Sequence, residues 1–408
     1  MRWRIISQVA GKEILSTLRD RRAIVSNLLL PLLLLPLIML GLPLALGGLF
    51  NREQASETPV AVQNLSELPP ELAELFEAAN IAPFASDEPE EVVRSESASV
   101  GLRVPGDMAN SVGAGEQVDL VLFSKQGNLA AEVAASKVRG AVDAYRQDLV
   151  AERLGAAGLD PSVLEPVTLR AVDASSTAER SSGQLSWIIP FFIAVWTLVG
   201  GQMTAIDATA GEKERGTLES LLVAPVRRSE VVMGKFLATM LFGLSAAVMA
   251  IIGYVAGGAL LGSLVSSRLG GEGGEVVAMM GGSLQVTLTS VILLLTSTLL
   301  LAATLAALLL GVTMFARSFK EAQSYVAPLS FLLIIPVLAL QFKDLLDLGL
   351  GIYLVPVVNV LLLMDDTVKG AVDGAALALT WSSLVIAIVL LLAFALRSFA
   401  RENVIFRT

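Results

Sequence analysis

The sequence predicts an α-helical integral membrane protein with six transmembrane helices and a large extracytoplasmic α/β domain between the first and the second. Three observations lead to this prediction: 54% of the 408 residues are hydrophobic, only 16% are charged, and the mean hydropathy is +0.70. Soluble domains of this size contain fewer hydrophobic and more charged residues. Six stretches are apolar for long enough to cross about 30 Å of hydrocarbon as a helix. They are 23–49, 185–207, 231–262, 284–314, 322–341 and 375–396.

The positions of Lys and Arg predict the orientation of these spans, because cytoplasmic loops carry an excess of positive charge. Sixteen of the 29 basic residues lie before the first span, after the second, after the fourth and after the last. Both termini are therefore predicted to be cytoplasmic, in the plasma (inner) membrane of a bacterium or archaeon. Segment 1–22 is predicted to be a cytoplasmic amphipathic helix, and span 23–49 an uncleaved anchor rather than a secretory signal.

Segment 50–184 has a different composition from the spans. Residues 51–184 carry 22 acidic and 10 basic side chains, a net charge of −12, whereas the rest of the chain nets +3. Alternating and helical periodicities replace the unbroken apolar runs, which predicts a folded α/β domain outside the membrane. Its predicted elements are strands at 59–64, 99–105, 117–124 and 166–172, helices at 70–80 and 129–154, and a polar tether at 175–184.

Residue types that are missing exclude several functions. The chain has no cysteine and no histidine, which rules out disulfides, thiol nucleophiles, histidine bases and His/Cys metal sites. No GxxxxGK[ST] phosphate loop occurs, so no nucleotide cofactor is expected in this chain and any ATP must be bound by a partner. The acidic balance, with a pI near 4.8, argues against nucleic acid as a partner.

Segment 209–236, "TAGEKERGTLESLLVAPVRRSEVVMGKF", is a compact run of mixed charges between the second and third spans. Leu218, Leu221 and Leu222 recur at the spacing of one helix face, and Pro225 ends that pattern. The segment therefore predicts a short helix lying on the cytoplasmic face. An interfacial helix that only redirects the chain and a docking helix for a cytoplasmic protein both satisfy this pattern.

Part of this segment resembles a known family. "GEKERGTLESLLVAPVRRSEVVMGK" (211–235) resembles the stretch between the second and third spans of ABC type-2 exporter permeases. "KEILSTLRDRRAIVSNLLLPLLLLPL" (12–37) resembles their amphipathic leading helix and first span, and 99–132 resembles their outer domain. Within that class, the chain is most similar to the sodium-extrusion (NatB-like) permeases.

The resemblance implies a non-catalytic membrane subunit of an ATP-driven exporter. A cytoplasmic ABC ATPase subunit, which binds ATP and Mg, would dock on a coupling helix at about 212–225, and a second permease copy, as homodimer or heterodimer, would complete the pathway in the lipid. Sodium is the implied cargo, although related permeases export peptides, antibiotics or lipids. A membrane-anchored binding or signalling protein is the competing class. The implied coupling residues are Glu212, Glu214, Arg215, Gly216, Thr217, Leu218, Glu219, Leu222, Pro225 and Arg227.

Few polar residues lie within the predicted spans, and each such residue requires a physical reason. Asn27, Gln202 and Asp207 provide oxygen ligands for a hard cation at the inner end of the path, or they form interhelical hydrogen bonds. Near the outer surface, segment 350–366 is too short and interrupted to span and is predicted to be re-entrant. Its polar residues line an outer cation exit or belong to a solvated loop: they are Asn359, Asp365 and Asp366.

Overall fold

The computed structural model describes residues 2–125, 127–160, 163–164, 186–217, 225–268, 287–340 and 349–399. Two compact units divide the chain. One comprises Met1–Leu44 with Ser175–Thr408, and the other comprises Ala45–Ala174. Each unit has its own apolar core.

The chain begins with an amphipathic helix, α1 (Trp3–Arg19). Its buried face consists of Ile6, Val9, Ala10 and, unusually, the carboxylate of Glu13. A helical turn and a π-helical stretch then lead into α2 (Leu30–Ala55). The predicted N-terminal amphipathic helix is thus present, and the following predicted span is helical throughout.

The unit Ala45–Ala174 is built on a four-stranded sheet. The strand order is β2-β1-β3-β4, with β2, β1 and β3 parallel and β4 antiparallel to β3. Apolar side chains of the sheet pack against α3 and α6, which gives this unit its own core. The elements in chain order are β1 (Thr58–Gln63), α3 (Pro70–Ala78), β2 (Ile81–Ala85), α4 (Pro89–Arg94), β3 (Val100–Arg103), α5 (Met108–Gly113), β4 (Val121–Ser124) and α6 (Leu129–Ala156).

Most predicted elements of this α/β unit occur, whereas the short helices α4 and α5 were not predicted and two strands differ from the prediction. Strand β2 was not predicted, because Pro83 in its centre is a residue that strands usually exclude. Strand β4 begins at Val121 rather than at 117. The strand predicted at 166–172 and the tether at 175–184 lie outside the described residues.

The remaining helices belong to the other unit. Helix α7 continues through a π-helical stretch, Asp207–Gly211, into Glu212–Glu214. A 3₁₀ turn, Leu350–Leu354, precedes α11, in the segment predicted to be re-entrant. The helices are α7 (Ile188–Ile206), α8 (Arg228–Arg268), α9 (Leu288–Thr313), α10 (Phe319–Leu340), α11 (Val358–Lys369) and α12 (Gly374–Phe399).

Among the described residues, four helical stretches are long and apolar enough to cross a membrane. They are Ile188–Glu214, Arg228–Leu260, Leu288–Thr313 and Gly374–Phe399. The first and fifth predicted spans correspond to α2 and α10 and are not in this set, and α10 contains Pro328 and Pro336. The structure therefore supports a multi-pass helical protein, and the count of six spans stays a prediction.

Glycines allow α7 and α8 to approach closely. A Cβ added at Gly200 would lie 2.6 Å from the Cβ of Ala246, and one added at Gly243 would lie 2.8 Å from the carbonyl oxygen of Thr197. Farther along α8, a Cβ at Gly253 would lie 2.5 Å from the carbonyl oxygen of Leu32 in α2. Small residues thus pack α8 against two helices of the same chain.

Candidate functional site

A buried ion network joins three helical elements at the base of the 209–236 segment. Lys235, in α8, is only 1% exposed. Its Nζ donates to Glu13 Oε1 at 2.8 Å, to Glu212 Oε2 at 2.6 Å and to the carbonyl oxygen of Ala208 at 2.6 Å. The Nζ of Lys12 donates to both carboxylates from the exposed side. Helix α1, the end of α7 and the start of α8 are thereby tied together.

The local sequence explains how three charged groups are buried here. Glu13 lies on the buried face of α1, and Gly234 lets this helix lie against α8, since a Cβ at Gly234 would be 2.6 Å from the Cβ of Val9. Lys235 follows directly and meets both carboxylates. A buried charge is tolerated only when it is paired and hydrogen-bonded. Each of the three N–H donors of the Lys235 ammonium has an acceptor in this network.

Lys12 adds the second positive charge. Burial lowers the pKa of Lys12, but the hydrogen bond and charge of Glu212, together with Glu13, more than offset this, so the pKa is raised. Lys12 therefore stays protonated at physiological pH. The two lysines balance the two carboxylates, so the network carries no net charge.

The exposed part of the segment is fixed to a second loop, between α9 and α10. The Glu214 carboxylate accepts a hydrogen bond from the backbone N–H of Phe319 at 2.8 Å. The ammonium of Lys213 donates to the carbonyl oxygens of Met314 and Ala316. The segment therefore has contacts to α1, α8 and the α9–α10 connection, which makes it a structural junction rather than an isolated linker.

Arg215 closes the turn that follows α7. Its guanidinium lies 2.8 Å from the Asp207 carboxylate, and this hydrogen bond raises the pKa of Arg215. Gly216 has φ of +69°, the left-handed region that favours glycine. The Thr217 hydroxyl donates to the carbonyl oxygen of Glu212 at 3.3 Å. The chain thus turns at Gly216, where the backbone conformation favours glycine.

The structure separates the predicted coupling residues into three groups. Glu212 is buried in the ion network, where its carboxylate pairs with Lys235 and helps to hold the segment, and its coupling role stays a prediction. Three further residues, Leu218, Glu219 and Leu222, lie outside the described part of the chain. The exposed group consists of Glu214, Arg215, Gly216, Thr217, Pro225 and Arg227.

Two of the three inner polar candidates line one cavity. It has a volume of about 240 Å³ and contains the side chains of Asn27 and Gln202, together with Ser26 and Gln323. Asn27 also donates to the carbonyl oxygen of Gly200 at 3.3 Å, so the interhelical hydrogen bond exists beside the cavity. The full lining is Ala23, Ser26, Asn27, Val199, Gln202, Met203, Ile206 and Gln323.

The other inner candidate, Asp207, is not among the cavity-lining residues. Its carboxylate forms the ion pair with Arg215 in the turn beyond α7. The π-helical stretch that begins at Asp207 carries it into the junction instead. Proximity along the sequence to Gln202 was therefore misleading, and the cavity presents amide and hydroxyl groups without a carboxylate among the residues that line it.

The outer candidates lie on α11 and are buried, so the solvated-loop interpretation is wrong. Asp365 is 0% exposed and Asp366 is 6% exposed. Asp365 accepts from Ser186 at 3.1 Å and pairs with Lys369 at 2.9 Å. Asp366 accepts from the Tyr353 hydroxyl at 2.7 Å. These partners connect α11 to the start of α7 and to the preceding 3₁₀ turn.

Asn359 is held separately, at the start of α11. Its amide donates to the carbonyl oxygen of Tyr353 at 3.0 Å and to the hydroxyl of Ser383 in α12. Just before it, Val357 has φ of +75°. A β-branched residue in this region is strained, at a cost of order 1–3 kcal/mol. The bonds of Asn359 help to hold that backbone in place.

Several residues of these networks escaped sequence reasoning. Lys235 was noted as a cytoplasmic charge and as the end of the 211–235 motif but not as a buried partner, and Ser186 and Tyr353 were not singled out. Glu13 offered a signal, because an acid on the apolar stripe of an amphipathic helix must find a buried partner. Nothing in the sequence says which of the 29 basic residues that partner is.

Comparison with known proteins identifies the class. Residues 28–397 match the family described as "ABC-2 family transporter protein". The chain belongs to this family. It is also 28% identical over 400 residues to "ABC transporter permease protein NatB" of Bacillus subtilis (strain 168), an alignment that covers 98% of this chain and 99% of that protein. The resemblance seen in the 211–235 motif is thereby confirmed.

Family membership establishes the coarse function. The chain is the multi-pass membrane subunit of an ABC-2 transporter, a subunit type that is normally non-catalytic. It implies a separate ATPase as partner. This agrees with the absence of a phosphate loop from the sequence.

Proposed function

We propose that this chain is the permease subunit of an ATP-driven sodium exporter, energised by a separate ATPase that docks on the 212–225 segment. The main observation is the junction itself. A buried ion network that joins α1, α7 and α8 supports the exposed part of the segment. This exposed part runs from Glu214 to Thr217 and from Pro225 to Arg227. A docking site that must transmit force requires such a rigid attachment.

The mechanism requires movement, not chemistry, from this chain. ATP binding closes two ATPase subunits and draws the docked segments of two permease copies together. Because Lys235 and Glu212 fix each segment to α7 and α8, these helices tilt with it. The cavity beside Asn27 and Gln202 lies on α7 and on the start of the first predicted span, so its shape changes with the same tilt.

A small cargo suits this cavity best. Its volume of about 240 Å³ is below the roughly 300–1,000 Å³ of pockets for drug-sized ligands. Asn27, Gln202 and Gln323 offer amide oxygens, which are ligands suited to a hard cation. The similarity to NatB-like permeases supports sodium in particular. A peptide, antibiotic or lipid would need a larger space formed elsewhere between two copies.

The same proposal sets the orientation. Both termini and the 212–225 segment are cytoplasmic, and the α/β unit is outside the plasma membrane, where its net charge of −12 over residues 51–184 concentrates cations. Two permease copies, identical or similar, form the pathway. A membrane-anchored signalling protein is disfavoured because the chain belongs to a transporter family.

The docking segment is tested by a double substitution. We expect Gly216→Leu with Glu219→Lys to lower permease-dependent ATP hydrolysis at least about tenfold, equivalent to about 1.4 kcal/mol of docking free energy. Leucine is strained at φ of +69°, and the second change reverses the charge of a residue to which the family resemblance assigns a docking role. ATP hydrolysis by the mixed subunits is measured in membranes that contain equal amounts of permease.

The matched control is Gly115→Leu with Glu116→Lys. Gly115 also has positive φ, +82°, and Glu116 is also an exposed acid that follows it, but both lie in the α/β unit. This control should hydrolyse ATP at the unsubstituted rate. Equal rates for both double variants would exclude docking at the 212–225 segment.

A further inference from the structure

The buried ion network around Lys235 is one clamp on the docking segment, 212–225. A second clamp, formed by Arg2 and Glu230, holds the chain just after this segment. Glu230, in the first turn of α8, is fully buried. Its carboxylate accepts from the backbone N–H of Arg2 at 2.7 Å, from Arg2 Nε at 3.3 Å, from Arg2 Nη2 at 3.0 Å and from the backbone N–H of Arg227 at 3.1 Å. A carboxylate offers about four acceptor positions, so these donors saturate it.

The same arginine also contacts the docking segment. Arg2 Nη2 donates to the carbonyl oxygen of Pro225 at 2.9 Å. Pro225 and Arg227 are thus both fixed, the first by Arg2 directly and the second through Glu230. The N-terminus of α8 favours the negative charge of Glu230, which strengthens the pair.

The two clamps are attached to one helix. On the outgoing side of the segment, Lys12 binds Glu212 directly and Glu13 binds it through Lys235. Arg2 holds the returning side. Ten residues separate Arg2 from Lys12, which is about 15 Å along a helix. Because both groups of contacts lie along α1, this helix sets the distance between the two sides of the segment.

We propose that Arg2 and Glu230 are positioning residues, which fix the returning side of the ATPase-docking segment. This inference rests on the proposed function, because it assigns the clamp to docking. Arg2 is exposed over 56% of its side chain while Glu230 is buried. Removing the arginine side chain thus loosens the segment without opening a cavity in the core.

Hydrogen–deuterium exchange of the full chain in lipid nanodiscs tests the clamp without any ATPase. We expect Arg2→Ala to speed exchange of the Arg227 amide and its neighbours at 225–230 about tenfold, with exchange in α9 unchanged. Arg2→Lys, which keeps a positive charge near Glu230, should restore most of the protection. Arg4→Ala is the control, since Arg4 is an exposed arginine on the same helix without a contact to the segment among the described residues.

Titration of the partner ATPase then separates positioning from simple structural support. We expect Arg2→Ala to raise the ATPase concentration for half-maximal hydrolysis about tenfold while the maximal rate is retained. Glu230→Gln, which keeps the shape of the side chain, should act in the same direction. A lower maximal rate with unchanged half-saturation, or unchanged exchange at 225–230, would overturn the proposal.

The two failures are distinguishable. If the unsubstituted chain does not stimulate the ATPase, the proposed function fails and the docking role of Arg2 fails with it, although faster exchange in Arg2→Ala would still establish the contact. If the unsubstituted chain stimulates hydrolysis and Arg2→Ala titrates identically, only the positioning role is overturned.

Discussion

Replacing Lys235 with methionine is expected to lower the free energy of unfolding of the unit that contains α1 and α7–α12 by about 3–5 kcal/mol. This is the usual cost of removing one partner of a buried ion pair. Methionine fills the space of the lysine stem but leaves Glu13 and Glu212 facing each other in a buried position. Lys12 alone must then neutralise both. Thermal unfolding in detergent, followed by tryptophan fluorescence, measures the loss.

Two further variants show whether unpaired charge is the cause. Lys320→Met removes an exposed lysine and should leave the unfolding temperature unchanged. Adding Glu13→Gln and Glu212→Gln to Lys235→Met removes every buried charge of the network and should recover most of the lost stability. If Lys235→Met unfolds at the same temperature as Lys320→Met, the network does not hold these helices together.

The second large loss of stability is expected from Gly200→Ala, which adds one methyl group between α7 and α8. Gly200→Ala places a Cβ 2.6 Å from the Cβ of Ala246 and 2.7 Å from the carbonyl oxygen of Phe242. Neither atom belongs to a flexible side chain, so the helices must separate, at a cost of about 1–3 kcal/mol. The hydrogen bond from Asn27 to the Gly200 carbonyl would be displaced as well. We expect lower thermal stability and weaker transport.

Gly11→Ala provides the comparison. Gly11 is exposed on α1, and a Cβ there meets no atom within 4 Å. Replacing a glycine inside a helix with alanine gains up to about 1 kcal/mol when nothing obstructs the methyl group. Equal unfolding temperatures for the two variants would contradict the close packing of α7 against α8.

The sequence was sufficient for the local features and insufficient for the long-range ones. Apolar runs revealed the four helices that are long enough to span in the described part of the chain, and period-two patterns revealed β1 and β3. Prediction failed where partners are distant. Lys235 and Glu13 are 222 positions apart, and no local pattern links them. The fold alone brings them together.

The candidate site shows the same division. The 211–235 motif predicted, by resemblance, a coupling segment that includes Glu212, but it did not reveal that Glu212 is buried, because this burial depends on the packing of α1. Asp207 was grouped with Gln202 on helical spacing, whereas the π-helical stretch and Arg215 place it in the junction. For Asp365 and Asp366 the sequence left a cation exit and a solvated loop open, because it did not reveal that they are buried and bonded to Ser186 and Tyr353.

We propose that this chain and a separate ATPase together export sodium. ATP-dependent accumulation of sodium in inverted membrane vesicles tests it most directly, with vesicles that lack either subunit as controls. We predict uptake that requires both subunits and that falls in Gln202→Leu, which removes an amide from the cavity beside Asn27. ATP hydrolysis that depends on this chain, without movement of sodium, would contradict the assignment of the cargo.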